Sequence, residues 1–462
     1  MNHLKVASLS MLLTACITPG PEHTPPDMAA LLDQVELVQP FASQDEVLSA
    51  WWTEYGDEGL NALIAAALEQ NRDLISAAAN LRSARANLQL AELSRLPNDQ
   101  LSTSATLSRQ SAAGAPFPGA GEDIESYSVG YAPSWDLDLF GAISREIEIA
   151  DASLSAQTER LRSLQLIIVA DVATNYFALQ SLYKEREIAS QNLDLQNESL
   201  RIAQARFDNG RVSEADVLNA RAQRDATAST LPLLETQIAQ TTARLDVLTG
   251  RAPGGLKEQL ANPSEATFID TPLPIGSLEA LVRRQPSIRA SERDLAASVS
   301  EIGLNVSNLF PRLTLIGSIG LSAQDVSDLS GDDALEFSVG PSLTWSPLNL
   351  VRGRQRIAAA EARADAAFAG YEQSVLLALE DLQSALALQA GARQRRAPLV
   401  SSAQASAEAA RIARAQYEFG AIAFISVLDA EARLLERELE LARNEYDIIN
   451  AQIAVFRALG AG

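Results

Sequence analysis

The chain repeats itself. A helical stretch near Asn71 runs into Leu96-Pro97 and then an alternating polar/apolar run. The same order returns from Gln285 into Phe310-Pro311, 214 positions later. Ser134-Trp135 returns as Thr344-Trp345, and Ala205-Arg206-Phe207-Asp208-Asn209-Gly210 as Ala415-Gln416-Tyr417-Glu418-Phe419-Gly420, both 210 positions on. Val217-Leu218-Asn219-Ala220 likewise returns as Val427-Leu428-Asp429-Ala430. A long duplicated unit that mixes short strands with very long helices constrains the fold more than any other feature.

Four runs alternate strictly: from Leu101 to Leu107, from Tyr127 to Leu139, from Leu313 to Leu321 and from Leu335 to Trp345. Period two over about ten residues predicts a half-exposed strand, and about ten residues is the length of a tilted strand crossing a bilayer. Strands are predicted at about 100–108, 126–139, 312–321 and 335–346. Trp135 and Trp345 close two of them, where an interfacial aromatic belt would lie. The Gly-, Ala- and acid-rich segments Gln110–Glu125 and Gln324–Asp333 suit exposed hairpin loops. The plainer alternative is two soluble hairpins on a globular core.

The helices are extreme. Between Ala142 and Asp208 there is no Pro or Gly, which predicts a helix of roughly 65 residues and about 100 Å. Its partner, Gly353–Phe419, contains Gly370, Gly391 and Pro398, and Pro398 is expected to kink or divide it. Shorter helices follow at Glu214–Thr249 and Phe424–Leu459. The last carries a heptad stripe of Leu435, Leu439, Ala442, Tyr446, Ile449, Ile453 and Phe456, which is coiled-coil spacing. Pro232 spoils the stripe in the first copy and predicts a bend. The Pro- and Gly-rich stretch Gly250–Ser277 reads as an irregular linker. Its Gly250-Arg251-Ala252-Pro253-Gly254-Gly255 run lacks the Gly-Lys-Ser/Thr ending of a phosphate loop and fits a helix C-cap.

Composition excludes several functions. The net charge of −22 argues against nucleic acid as a partner. Two histidines and one cysteine leave no structural disulfide within the chain and little basis for a metal site or a catalytic triad. No catalytic residue, resident metal or cofactor is expected. The N-terminus reads as a signal peptide, with Lys5 and then an apolar run from Val6 to Leu13 that is too short to span a bilayer as a helix. It ends in Leu13-Thr14-Ala15-Cys16, similar to a bacterial lipoprotein box, so Cys16 is expected to carry diacylglycerol and an N-acyl chain. Ile17 rather than Asp follows, which by resemblance to known sorting points to the outer membrane. Pro19, Pro21, Pro25, Pro26 and Pro40 predict an extended tether. The expected divisions are 1–15 signal peptide, 16–56 lipidated tether, 57–249 first repeat, 250–277 equatorial linker and 278–462 second repeat.

Four membrane-length strands cannot close on themselves without leaving backbone groups unpaired in lipid. Copies must combine, most simply by cyclic symmetry. Two chains would supply eight strands and three would supply twelve.

The box at Cys16, the Gly20-Pro21 tether, the Trp51-Trp52-Thr53-Glu54-Tyr55-Gly56-Asp57 stretch and both repeats resemble a TolC-like outer membrane factor of the lipidated OprM/NodT type. The likeness covers nearly the whole mature chain; single motifs are degenerate, but their order and spacing are specific. It implies an α+β membrane protein: a homotrimer with a twelve-stranded transmembrane barrel continuous with a long periplasmic α-helical barrel. It also implies an export conduit for drugs or other small solutes, joined through a periplasmic adaptor (membrane fusion protein) to an inner-membrane RND-type transporter. Outer-membrane lipids would surround it. The alternatives are the exit duct of a type I protein secretion system and, from another class, a lipid-anchored structural coiled-coil protein.

By the same resemblance, the hairpin tips at about 207–218 and 417–428 meet the adaptor and constrict the closed duct. Gly210, Val212, Gly420 and Ala421 are the candidate docking positions. Gly210 and Gly420 also fit tight turns at helix C-caps. Asp216 and Asp429 match acidic positions at the family's aperture, where carboxylate rings favour cations. Ser213 with Asp216, and Ser426 with Asp429, equally fit capping boxes. Ile422 and Ser426 stand where a basic and an acidic gate residue can occur, so a polar lock would need Arg211 from the other tip. Tyr417 is a further candidate contact, or simply packing. Trp51, Trp52 and Tyr55 read as a wedge of the tether against the helices.

Overall fold

The computed structural model describes residues 19–28, 32, 50–109, 111, 113, 122–261, 268–270 and 277–461. Cys16 and its box lie outside these residues. So do most of the tether, most of the 110–125 loop and parts of the linker. In chain order the elements are α1 (Glu58–Gln70), α2 (Arg72–Leu93), β1 (Leu101–Arg109), β2 (Asp123–Tyr131), β3 (Ser134–Leu137), α3 (Ala142–Asp208) and α4 (Glu214–Leu248). There follow α5 (Leu278–Arg284), α6 (Pro286–Ser307), β4 (Arg312–Ala323), β5 (Leu335–Thr344), α7 (Leu350–Glu418) and α8 (Phe424–Ala458). The chain divides into two compact units. One comprises Met1–Pro26, Asn80–Thr158 and Ala290–Tyr371, and the other Asp27–Ala79, Glu159–Arg289 and Glu372–Gly462. Each unit draws on both copies of the repeat.

The first unit holds one antiparallel sheet. β1 pairs with β2, both β2 and β3 pair with β4, and β5 pairs with the far side of β4. The strand expected at 126–139 is therefore interrupted, and it ends at Leu137 rather than Leu139. The break falls at Ala132-Pro133, because Pro133 has no N–H to give the ladder. Register survives the break: Tyr131 lies opposite Ile319 and Ser134 opposite Ile316. The Pro133 carbonyl still accepts from the Gly317 N–H at 2.9 Å. Among the described residues β1 pairs only with β2 and β5 only with β4, so both outer edges are unpaired.

The faces of this sheet differ in chemistry. On one, Ser104 meets Ser128 and Ser318 meets Ser338, each pair at 2.8 Å between hydroxyls. On the other, Phe337 and Val339 are both 76% exposed, with Leu335 and Leu343 also exposed. An open apolar face with free edges is a liability in water. Against lipid the same face is matched to its solvent. The segment between β4 and β5, expected as a loop, folds into two short 3-10 turns, Val326–Ser330 and Asp332–Ala334.

The duplication extends to single hydrogen bonds. The Trp135 indole N–H donates to the Arg95 carbonyl at 2.9 Å, and the Trp345 indole to the Leu309 carbonyl at 3.1 Å. Each ties a strand to the end of the preceding helix. In the second unit the Asn71 amide donates to the Leu248 carbonyl, and the Gln285 amide to the Ala458 carbonyl. Gly250 and Gly460 close α4 and α8 with φ of 74° and 69°, which confirms the helix C-cap in place of a phosphate loop.

The second unit is helical. Trp51 is 1% exposed and stacks on Phe456 at 5.0 Å, while Tyr55 lies against Phe177 at 4.8 Å. The aromatic wedge thus locks onto the end of α8. Pro398 does not divide α7, which runs 69 residues through it. Pro398 and Gln394, whose carbonyl loses its helical partner, are both exposed. Water can satisfy that carbonyl, which keeps the cost of the break small. Pro232 is likewise carried inside an undivided α4. Ala442, Ile449, Ile453 and Phe456 of the predicted stripe are buried; Leu435, Leu439 and Tyr446 are half-buried.

Candidate functional site

Both hairpin tips turn by the same device. Beyond α3, the Gly210 N–H donates to the Phe207 carbonyl at 2.8 Å and the Arg211 N–H to the Arg206 carbonyl at 2.9 Å. Beyond α7, the Gly420 N–H donates to Tyr417 and the Ala421 N–H to Gln416, both at 2.9 Å. These closures need a left-handed residue, and φ is 70° at Gly210 and 75° at Gly420. A Cβ added at either would meet nothing within 4 Å, so the demand for glycine is set by the backbone alone.

The return helices start differently. Ser213 caps α4, accepting from the Asp216 N–H at 3.3 Å, while Asp216 Oδ2 accepts from the Ser213 N–H at 3.1 Å and its hydroxyl at 2.9 Å. The capping box is real, and it turns the Asp216 carboxylate onto its own helix start. The box expected at Ser426 and Asp429 is absent. α8 is capped at Ala423 with no side-chain bond. The 210-residue offset explains this: Ser213 aligns with Ala423 and Asp216 with Ser426, so Asp429 aligns with Asn219. Asp429 is exposed, a turn further into α8.

Beneath the tips lies a small core containing Ala203, Val217, Ala413, Tyr417, Phe424 and Val427. Tyr417 is 5% exposed and rests 4.9 Å from the Phe424 ring, so it packs rather than faces solvent. Burial raises its hydroxyl above the ordinary tyrosine range, with the Arg206 guanidinium acting the other way. Arg211 is exposed and forms no ion pair among the described residues. The residue that joins the two tips is Arg206. Its guanidinium sits 4.3 Å from the Tyr417 ring centroid and donates to the Glu418 carbonyl at 2.7 Å. Sequence reasoning missed it, although its place in the last turn of α3, opposite Gln416 in the repeat, was a usable signal.

The tips also differ at the surface. The first presents Asn209, Arg211, Ser213 and Glu214, with Val212 half-buried. The second presents Phe419 (89% exposed), Ala421 and Ile425.

Above the tips a polar seam runs between α3 and α8. The Asn192 amide donates to Glu438 at 2.9 Å, the Ser199 hydroxyl to Glu431 at 2.7 Å, and Arg443 pairs with Glu185 at 2.8 Å. Glu185, Asn192 and Ser199 recur every seven residues, the repeat of a coiled-coil seam. Glu431 is 1% exposed, and burial raises its carboxyl above the usual range; Ser199 and then Arg414 oppose that.

The sequence profile described as Outer membrane efflux protein matches residues 63–251 and 278–461, one segment in each repeat. The chain belongs to this family. It is 28% identical to Nodulation protein T of Rhizobium leguminosarum bv. trifolii, over 98% of this chain and 96% of that protein. It is 29% identical to the solvent efflux pump outer membrane protein SrpC of Pseudomonas putida, over 88% of this chain and 86% of that one. The solved outer-membrane channel OprN superposes with a TM-score of 0.88 at 34% identity, covering 96% of this chain and 99% of that chain. The chain is thus an outer membrane factor of the OprM/NodT type. Its fold is that of the α+β channels with a transmembrane sheet and long helices, its place is the bacterial outer membrane, and its role is that of an efflux exit duct. Of these relatives, OprN is a channel by name and SrpC an efflux pump outer membrane protein.

Proposed function

We propose that three copies of this chain close a twelve-stranded barrel and a continuous helical barrel below it, forming the passive exit of a tripartite efflux system. The observation that carries this reading is the sheet with two unpaired edges, a serine-rich face and an apolar face. With β2 and β3 counted as one strand interrupted at Pro133, each chain supplies four strands, which cannot shield those edges alone, and joining β1 of one copy to β5 of the next removes them. The serine face then lines a wet lumen.

In this reading Cys16 carries the acyl chains, and the signal peptide (1–15), lipidated tether (16–56), repeats (57–249 and 278–462) and linker (250–277) divide the chain. Cargo is a drug or other small solute delivered by an RND-type transporter of the inner membrane. A periplasmic adaptor docks at the tips, at Gly210 and Val212 in one copy of the repeat and Gly420 and Ala421 in the other. Asp216, Asp429 and Arg211 face the aperture, with Tyr417 packed behind. Efflux is favoured over protein secretion because the family description and the name of the solvent pump relative both specify efflux. In-cell photo-crosslinking from Val212 and Ala421 tests the docking. Capture of an adaptor of a proton-driven pump is expected; capture of one from an ATP-driven secretion system would overturn the efflux reading.

A further inference from the structure

The first unit contains a cavity of about 680 Å³ where β3, β4 and β5 give way to α3, α6 and α7. In an outer-membrane duct this is the level at which the transmembrane sheet meets the periplasmic helices. Six charged side chains line the cavity, and three of them are already engaged. Asp138 accepts from the Ile143 and Ser144 N–H groups at 3.0 and 2.8 Å, which fixes the start of α3. Asp136 accepts from the Thr314 hydroxyl at 2.6 Å and faces Arg312 at 3.7 Å. The other three, Arg352, Arg356 and Glu146, are exposed and make no hydrogen bond or ion pair among the described residues. Arg352 and Arg356 stand four apart on α7 and so share one helix face.

The lining is mixed, with exposed apolar side chains set among its polar groups. Phe140 stacks on Phe310 at 4.8 Å in the lining, and Trp345 and Leu139 are 52% and 47% exposed there. Just outside, Leu348 is 95% and Val351 70% exposed. Two cations, one anion and a large exposed apolar margin at the membrane boundary match one chemistry: a zwitterionic phospholipid. Its phosphodiester would bridge the two guanidinium groups, its ammonium would meet the carboxylate, and its acyl chains would lie on the apolar margin.

We propose that this cavity is a headgroup site for an inner-leaflet lipid of the phosphatidylethanolamine type, held by Arg352 and Arg356 at the phosphate and Glu146 at the ammonium. The site is specific to each chain's second-repeat arginines, because the positions 210 residues earlier are Ala142 and Glu146 itself.

The test is native mass spectrometry of the full-length assembled protein, released from delipidating detergent and titrated with phosphatidylethanolamine, phosphatidylglycerol or free phosphoethanolamine. The wild type is expected to retain phosphatidylethanolamine in preference to phosphatidylglycerol. Arg352→Gln with Arg356→Gln is expected to weaken retention of either lipid by about tenfold or more, as the loss of two charge-assisted contacts implies. Glu146→Gln, a surface change compatible with folding, is expected to abolish the preference while leaving phosphatidylglycerol bound. Equal retention of both lipids by the wild type would overturn the proposal. So would binding of free phosphoethanolamine as tight as that of the lipid, or dissociation of the double variant into single chains in lipid-free detergent, which would make the arginines a contact between copies.

Discussion

Removing the Ser199 hydroxyl isolates one buried interaction in the wall of the duct. Glu431 is 1% exposed, and Ser199 supplies the short bond to it, at 2.7 Å. Arg414 is further away, at 3.5 Å, and approaches the same oxygen. The second carboxylate oxygen has no partner among the described residues. Ser199→Ala therefore leaves a nearly unsupported carboxylate between α3 and α8. A hydrogen bond to a buried charge is worth about 2 kcal/mol and one to a neutral acid about 1 kcal/mol. Burial already raises the Glu431 carboxyl. The folded chain thus holds this proton more tightly than the unfolded chain does, and the site's contribution is fully present at low pH and declines as pH rises through the folded value. Losing Ser199 removes a group that favours the ionised form and raises the carboxyl further. The cost should be about 2 kcal/mol at high pH, a roughly 30-fold loss of protection, and about half that once Glu431 is protonated. Amide hydrogen exchange across 192–203 and 427–438, measured on both sides of the transition, reads it directly. Adding Glu431→Gln should erase the pH dependence. A cost independent of pH in the single variant would refute the reasoning.

The tips give a paired test of capping. Ser213→Ala should fray the start of α4 by about 1 kcal/mol, whereas Ser426→Ala should change the start of α8 by less than about 0.5 kcal/mol, read by exchange in the two first turns. Replacing Asp216 and Asp429 together with Ala should reduce cation preference or alter conductance in planar bilayers, and an unchanged channel would leave Asp216 only its capping role. Cys16→Ser should abolish acylation, and continued labelling by radioactive palmitate would contradict the lipid anchor.

Much of the fold was legible because the features that build it are periodic. Alternation from Leu335 to Trp345 and the long run without Pro or Gly from Ala142 to Asp208 needed no partner to interpret. Gly210 and Gly420 were readable because one backbone conformation demands them. Pro133 was harder, since a proline in a strand pattern does not say whether register survives beyond it, and only pairing with β4 settles that. The cap at α8 was misread because Ser-x-x-Asp was matched locally, when the repeat offset already placed Ala423 at the cap. Ser199, Asn192 and Glu431 look like solvated helix residues until the neighbouring helix is known. Arg206 escaped for the same reason, because its partners lie in the other copy of the repeat, 212 positions away in the chain.

The most direct test of the account joins the two free edges of the sheet. Cysteines placed in pairs along β1 and β5, beginning with Ser104→Cys and Ser338→Cys and stepping the register, should trap neighbouring chains under mild oxidation. The expected result is a covalent ladder that stops at three chains on a non-reducing gel and collapses on reduction. A ladder that stops at two chains, or no crosslink in any register, would contradict closure of a twelve-stranded barrel by three copies.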